Sequence, residues 1–434
     1  MTTARACRAP AGVTTGFGPP IAAGNYAREA GQAVRSGARG SVPYMRGTTH
    51  PPSRRGGPTR VLIAGGGFAA VEAMLALRAL AGERVAIELV SPQRRLAYRP
   101  AATGEPFGDA PPASYDLAAI ARDLHAAHRV DRLEAVAPAV RRVRLASGAR
   151  LPYDALILAV GAGLRASIPG ALTFTGPRHT GHIRALLDDL AARRVRSVIF
   201  AVPSGVSWPL PLYELALHTA GSAEEHDRDV DVSIVTPERA PLDLFGEHGS
   251  ALVHALLAER GVRFLGGRIP QRFDRDGRLT LHFGGGVLHA DRAIAAPTMV
   301  GRAIPGIPAS WYGFVPTDGR GRVEDVEDVY AAGDMTAFPV KQGGLAAQQA
   351  DAIAADIAAH LGLRPATDPP APVLRARLIG GARPTALHAT LGADGRALDA
   401  RLDTAPDPLI GDAPPRAKVF GRFLTPYLAG RAAG

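Results

Sequence analysis

Regular hydrophobic patterning begins at Thr59. Residues 60–64 form a short run rich in apolar and β-branched side chains, which predicts a buried strand. Gly65-Gly66-Gly67-Phe68-Ala69-Ala70 follows at once, and Val71, Met74, Leu75 and the residues to Leu80 then recur at helical spacing. Residues 85–90 predict a second strand and 116–128 a helix. Residues 130–137, 141–146 and 150–151 alternate as short strands, with Ser147-Gly148 as a turn. They lead into 153–162, YDALILAVGA, an apolar strand ending in small residues, as expected where a ligand passes close to backbone.

From about Thr173 the pattern restarts. Strands are predicted at 197–202, 230–235 and 262–265, and helices at 209–220 and 247–260, the latter closed by Gly261. Strands alternating with helices build a second parallel βαβ unit. Residues 325–334, DVEDVYAAGD, and 338–344, FPVKQGG, precede a long helix. Its Leu345, Ile353, Ile357 and Leu361 fall on one four-residue ladder, and Gly362 ends it. Residues 363–434 are Pro-rich, with strand-like alternation at 374–378 and 387–391. A last apolar stripe runs through Val419, Phe420, Phe423, Leu424, Tyr427 and Leu428.

Strand, Gly-rich turn and helix in that order are the setting in which G-x-G-x-x-A binds a dinucleotide. Gly65 permits the tight turn, Gly67 lets backbone approach a pyrophosphate, and Ala70 allows close packing of helix on sheet. The helix N-terminus supplies N–H donors and a positive dipole end. The second strand ends Leu89-Val90-Ser91-Pro92, without the acid that often binds the adenine ribose there, so Ser91 is the candidate for that contact. In the second unit the matching turn is Pro203-Ser204-Gly205-Val206-Ser207-Trp208-Pro209-Leu210-Pro211, with one glycine. Glu238-Arg239, beyond the next strand, could reach an adenosine ribose.

Charge changes the picture less than its total suggests. The chain carries +10, but residues 1–60 hold nine arginines against one acid, Glu29, which leaves +2 for the other 374 residues. A nearly neutral body argues against a nucleic-acid partner. Residues 1–58, rich in Gly, Ala, Pro, Ser and Arg, read as a disordered basic extension. It lacks the apolar core of a signal peptide. Ser53-Arg54-Arg55 faintly mimics a twin-arginine export signal, but cleavage after it would destroy the Gly65–Ala70 turn; Met45 offers an alternative translation start. No run of about 18 apolar residues is present to span a membrane. His125 and His128 stand three apart without an acidic or thiol partner at ligand spacing, which reads as a solvated helix face, and no metal is expected. The one cysteine, Cys7, leaves no intrachain disulfide or dithiol centre.

VLIAGGGFAA near the start together with VYAAGDMTAFPVKQGGLAAQQA near the end resembles the pyridine nucleotide-disulfide oxidoreductase superfamily. Within it, the chain is most similar to the branch of sulfide:quinone reductases, flavocytochrome c sulfide dehydrogenases and type II NADH dehydrogenases. The resemblance covers roughly residues 59–361. It implies an α/β fold of two Rossmann-like domains: an FAD domain in two pieces, 59–170 and 298–362, an inserted NAD(P)-binding-like domain, 171–297, and a C-terminal segment, 363–434. Carried onto this sequence, Gly65, Gly67 and Ala70, with Phe68 and Ala69 between them, would contact the FAD pyrophosphate. Asp334 of the Gly333-Asp334 pair would bind the ribityl chain. Gly344 and Leu345 would begin a helix facing the flavin pyrimidine ring, where a dipole stabilises negative charge by about 0.3–2 kcal/mol. Ser91, Arg99, Ala159 and Gly161 complete the candidate cofactor set. Lys341 is either a solvated lysine or a fixed cation near the flavin.

The departures matter as much. WPLPLYELA, residues 208–216, resembles the family segment Cys-Pro-x-x-x-Tyr-Glu, with Trp208 in the place of a redox cysteine. Sulfide chemistry through a thiolate needs that sulfur. Aligned instead with a nicotinamide-binding turn, Glu214 matches but the glycines are replaced by Ser207, Trp208 and prolines. The expectation is therefore an FAD-dependent oxidoreductase without redox cysteines, with Lys341 and Trp208 as candidate catalytic residues and NAD(P)H use left open. It would carry electrons from a small donor to an acceptor such as a quinone; a type II-like NAD(P)H dehydrogenase and a flavin protein without turnover are the alternatives. A cytoplasmic protein is expected, with peripheral contact at the inner membrane face if the stripe through Phe420, Phe423 and Tyr427 forms a membrane foot.

Overall fold

The computed structural model describes residues 57–381, 383–398, 407–411, 413 and 417–432. The predicted basic extension, with Cys7 and Met45, lies outside the described residues except for its last two positions.

The first strand, β1 (Thr59–Ala64), is buried on both faces, as a central parallel strand must be. Val61 and Ile63 face one layer, Leu62 and Ala64 the other. It runs into α1 (Phe68–Ala81) and then β2 (Val85–Val90). Helix α2 (Leu117–Asp123) stops five residues short of the predicted end, because His125 adopts φ +48° and turns the chain into β3 (Ala127–Arg129). His128 therefore sits opposite Leu89 in the sheet, not on a helix with His125. Three antiparallel strands follow, β4 (Leu133–Ala137), β5 (Arg142–Leu145) and β6 (Arg150–Pro152), and then β7 (Ala155–Leu158).

The second unit begins with β8 (Leu172–Thr173), α3 (Thr180–Ala191), β9 (Ser197–Ala201), α4 (Leu210–Glu225) and β10 (Asp231–Val235). It continues with α5 (Gly246–Glu259), β11 (Arg263–Leu265), an antiparallel trio β12 (Pro270–Phe273), β13 (Arg278–Leu281) and β14 (Val287–His289), and β15 (Arg292–Ala295). The chain then returns to the first sheet through β16 (Val329–Ala331) and α6 (Gly343–His360). It ends in a hairpin, β17 (Val373–Leu378) with β18 (Thr385–Thr390), and α7 (Leu424–Ala432). Helix α3 and the trio β12–β14 have no counterpart among the predicted elements.

Two five-stranded parallel sheets result, β16-β7-β1-β2-β3 and β8-β15-β9-β10-β11. The first draws its strands from both sides of the second. Helices α1 and α6 cover one of its faces and meet through small residues, Ala69, Ala70 and Ala73 against Ala346 and Ala350, which lets two backbones approach closely. The β4–β6 sheet and Ile304, Ile307 and Val315 cover the other face. Open parallel sheets place their ligands beyond the carboxyl ends of the strands, and each helix head here lies there. Among the described residues no helix is long and apolar enough to cross a membrane.

Candidate functional site

The three glycines after β1 do different work. Gly65 has φ +139°, and a Cβ on it would overlap the carbonyl of Ala159, whose own N–H donates to Ala64 O at 2.7 Å. A Cβ on Gly66 would overlap Ser91 Oγ. Gly67, the cap residue of α1, is extended and faces open space: nothing lies within 4 Å of where its Cβ would be. Gly65 and Gly66 thus serve packing inside the protein, and Gly67 leaves room outside it. Gly161, at φ +68°, opens onto space as well. Ala69 and Ala70 are buried against the sheet and α6, and Phe68 meets Tyr98 edge to face at 5.6 Å. Ser91 has a local role: fully buried, it donates to Gln93 Oε1 at 3.0 Å and accepts the Gln93 N–H at 3.1 Å.

At the other edge, Gly333 (φ +79°) fits between Ala69 and Ala346 and donates its N–H to Gln349 Oε1 at 2.7 Å. Asp334 follows in a recess. Burial pushes its carboxyl up, while Lys341 and Arg99 pull it down, so the three candidates belong to one electrostatic group. Lys341 is not a solvated lysine. Its Nζ donates to the carbonyls of Thr336 and, at 2.7 Å, Phe338, and stands 4.2 Å from the Phe314 ring centre. Burial lowers it to about 8 in spite of Asp334. The head of α6 is covered: Gln342 Oε1 accepts the Leu345 N–H at 3.0 Å, and Val419 and Phe420 close over Gly343 and Gly344.

A cavity of about 50 Å³ adjoins that helix head, lined by Trp208, Glu214, Gln342, Gly343, Lys418 and Val419 among others. Glu214 and Lys418 form an ion pair at 2.5 Å, with side chains 1% and 7% exposed. Thr103 donates to the same Glu214 oxygen at 2.7 Å and receives Lys418 Nζ at 2.9 Å, while the Ile379 N–H reaches the other oxygen at 3.2 Å. Burial raises Glu214, and Lys418 opposes the rise. Trp208 packs on Phe245, ring centres 6.1 Å apart. Glu238 is turned inward, taking hydroxyl bonds from Tyr213 (2.7 Å) and Thr236 (2.8 Å), and burial lifts it to about 7. One oxygen of Glu238, the residue the sequence offered to an adenosine ribose, thus already accepts from Tyr213 and Thr236.

Thr103, Tyr98 and Lys418 have no place in the sequence-level set. One signal pointed at Lys418: it is one of two lysines in a chain with 48 arginines, and the other is Lys341. The apolar stripe around it packs inward. Val419, Phe420, Leu424 and Leu428 are buried, and Phe423 and Tyr427, half-buried, pack against the core of the first sheet.

The chain belongs to the pyridine nucleotide-disulphide oxidoreductase family, whose profile matches residues 59–354. It is an FAD-dependent oxidoreductase of that family. Its fold is similar to that of the sulfide:quinone oxidoreductase from Aquifex aeolicus, at 20% identity and TM-score 0.69, over 76% of this chain and 84% of that one. A ferredoxin reductase from Rhodopseudomonas palustris matches at 19% identity and TM-score 0.57, over 73% and 79%. A NAD-dependent persulfide reductase from A. fulgidus matches at 17% identity and TM-score 0.53, over 73% and 62%. No curated protein sequence matches the chain significantly.

Proposed function

We propose that this enzyme takes electrons from a small donor directly onto FAD and passes them to an acceptor such as a quinone, with neither redox cysteines nor a nicotinamide cofactor in the inserted domain, 171–297. The observation that carries the reading is the filled turn of that domain. Groups that a dinucleotide would need there are engaged by the protein: Trp208 with Phe245, Glu214 with Lys418, Glu238 with Tyr213. Pro209 and Pro211 offer no N–H to a pyrophosphate. The one cysteine, Cys7, lies outside the family match.

The flavin domain, 59–170 with 298–362, fits its cofactor. The open space at Gly67 suits a pyrophosphate held by the first N–H groups of α1. Gly65, Phe68, Ala69 and Ala70 hold that turn against the sheet, and Ala159 and Gly161 line the path with backbone. Asp334 would accept hydroxyl groups of the ribityl chain, and Gly333 lets α1 and α6 come close enough to enclose it. Arg99 and Lys341 keep positive charge beside Asp334. When bound, FAD accepts two electrons from a donor and releases them to an acceptor. Lys341, largely protonated at pH 7, would oppose the build-up of negative charge nearby. Gly344 and Leu345, beneath Val419 and Phe420, would act on the flavin through the positive end of the α6 dipole rather than by contact. The cavity beside Trp208 suits the donor. A water needs about 10–15 Å³ on the same measure, so about 50 Å³ admits only a few non-hydrogen atoms.

Asp334→Ala is expected to weaken FAD retention by about 1.5–3 kcal/mol, the usual worth of a hydrogen bond to a charged acceptor. Ultrafiltration of the yellow protein at graded dilution measures it; unchanged retention removes Asp334 from the cofactor site. Anaerobic stopped-flow mixing with NADH, NADPH and sulfide tests the reading itself. Slow or absent bleaching of the flavin by all three is expected. Saturable bleaching by micromolar NADH would make the protein a type II-like NADH dehydrogenase.

A further inference from the structure

The most exposed large apolar side chain among the described residues is Trp311, at 97%, and its neighbour Tyr312 is 46% exposed. Both stand near the end of a loop, residues 301–313, that is closed at its base. The Gly301 N–H donates to Tyr312 O at 2.9 Å, and a Cβ on Gly301 would overlap the backbone of Gly313, so two glycines cross where no side chain fits. Within the loop, Ile304 and Ile307 are buried in the core that covers one face of the first sheet. The tip is a fixed turn: Gly313 N–H donates to Ser310 O at 2.8 Å, and Ser310 N–H to Phe314 O at 2.7 Å. An anchored loop that holds its tryptophan in water marks a contact surface.

Both ends of the loop lead to the candidate flavin site. Residues 298–300, just before it, pair antiparallel with 163–165, which begin two residues after Gly161. Phe314, just after it, has Lys341 Nζ 4.2 Å from its ring centre. The pairing sets Leu164, itself exposed, opposite Met299, and Arg165 opposite Thr298. Arg165 and Arg302 are exposed, and neither side chain has a hydrogen bond or a carboxylate partner among the described residues. The segments that build this surface, 159–187 and 298–317, contain no aspartate or glutamate. The surface is therefore aromatic at its tip and positive at its base.

We infer that residues 301–313, with Leu164 and Arg165, are a contact surface for a lipid bilayer that carries anionic head groups. Trp311 and Tyr312 enter the interface, where an aromatic ring has its apolar body among acyl chains and its polar edge among head groups. Arg165 and Arg302 meet the lipid phosphates, the charge that an acid-free surface complements. A protein partner holds its aromatic anchors in desolvated, closely packed pockets. A tryptophan projecting almost wholly into water suits instead a medium that it can enter. The contact sets the flavin site beside the phase that dissolves a quinone; that last step rests on the function proposed above, and the contact itself does not.

Tryptophan emission of the full-length, FAD-bound protein tests this, with vesicles of phosphatidylcholine alone and of phosphatidylcholine mixed with phosphatidylglycerol. The chain has two tryptophans, and Trp208 packs on Phe245. The basic residues 1–58 are themselves drawn to anionic lipid, so the readout is the surroundings of Trp311 and not the fraction bound. The mixed vesicles at low salt are expected to shift the emission to the blue, and lipids brominated near the head-group end of their chains to quench it. Both responses should weaken with added salt and vanish in Trp311→Phe. Arg165→Gln together with Arg302→Gln should lower the apparent affinity by about fivefold per arginine. A response that persists in Trp311→Phe, or an affinity untouched by the two arginine changes, would overturn the surface. So would emission that neither kind of vesicle alters, which would leave an acidic protein as the occupant. No electron transfer enters the measurement, so its failure is separate from a failure of the donor and acceptor reading in stopped flow.

Discussion

Gly67→Val is expected to yield a folded but colourless protein. The turn that precedes α1 has room for the side chain, because nothing of the protein lies within 4 Å of a Cβ at this position. Its backbone is extended, at φ −94°, which a β-branched residue adopts without strain. Fold and stability should therefore survive. The space that valine fills is the one proposed for the FAD pyrophosphate, so cofactor binding should fail altogether. The ratio of flavin absorbance to protein absorbance measures the loss, with circular dichroism to check the fold. Gly65→Ala gives the contrast. Its φ of +139° and the Ala159 carbonyl leave no place for a Cβ, so this smaller change should break the β1–β7 contact and cost solubility. Stoichiometric FAD in Gly67→Val would move the pyrophosphate elsewhere.

That contrast also marks how far the sequence reaches. The G-x-G-x-x-A pattern was legible because strand period, glycine spacing and helix period meet within 22 residues. Which glycine serves packing and which faces a ligand was not, since Ala159 and Ser91 come from distant segments. The same holds for Asp116 to His128. Its composition suits a helix throughout, but pairing of His128 with Leu89 in the sheet overrides propensity after Asp123. Helix α3 was equally legible: Ile183, Leu186 and Leu190 recur at helical spacing on its buried side, with Arg184, Asp188 and Asp189 elsewhere on its surface.

The candidate site divides in the same way. Asp334 and Lys341 were visible as sequence neighbours of a Gly-Asp pair, and the structure adds that Arg99 shares their field. Trp208 was visible as a departure from a cysteine, and the structure adds the aromatic partner that holds it. Glu214 was visible only as a residue that could face a nicotinamide cofactor. Its actual partners, Thr103 and Lys418, lie 111 and 204 residues away, and no local pattern links them. The apolar stripe around Lys418 reads equally well as a membrane face or a core face. Burial of Phe420 and Leu424 puts those two residues in the core.

Lys418→Met should show what that ion pair is worth. The pair joins α4 of the second unit to the segment 417–424 that covers the head of α6, so its loss acts on both. Methionine fills most of the volume, and what remains is a buried carboxylate without its cation. Breaking a buried pair from one side costs about 3–5 kcal/mol, far more than an exposed pair would. Thr103 and the Ile379 N–H still bind Glu214, which sets the expectation at the lower end of that range. The loss should depend on pH. Burial already raises Glu214 above its ordinary value and Lys418 restrains it, so removing Lys418 raises it further. A carboxyl whose folded value lies above its unfolded value loses stability as pH rises through the folded value, so the deficit should be larger at pH 8 than at pH 5. Adding Glu214→Gln should recover most of the loss and remove the pH dependence, because glutamine keeps an acceptor for Thr103 and Ile379 without the charge. Melting temperatures of the four members of this double-mutant cycle at the two pH values give the coupling directly. A Lys418→Met protein that melts with the parent at both pH values would mean that the pair contributes nothing to holding residues 417–424 on α4.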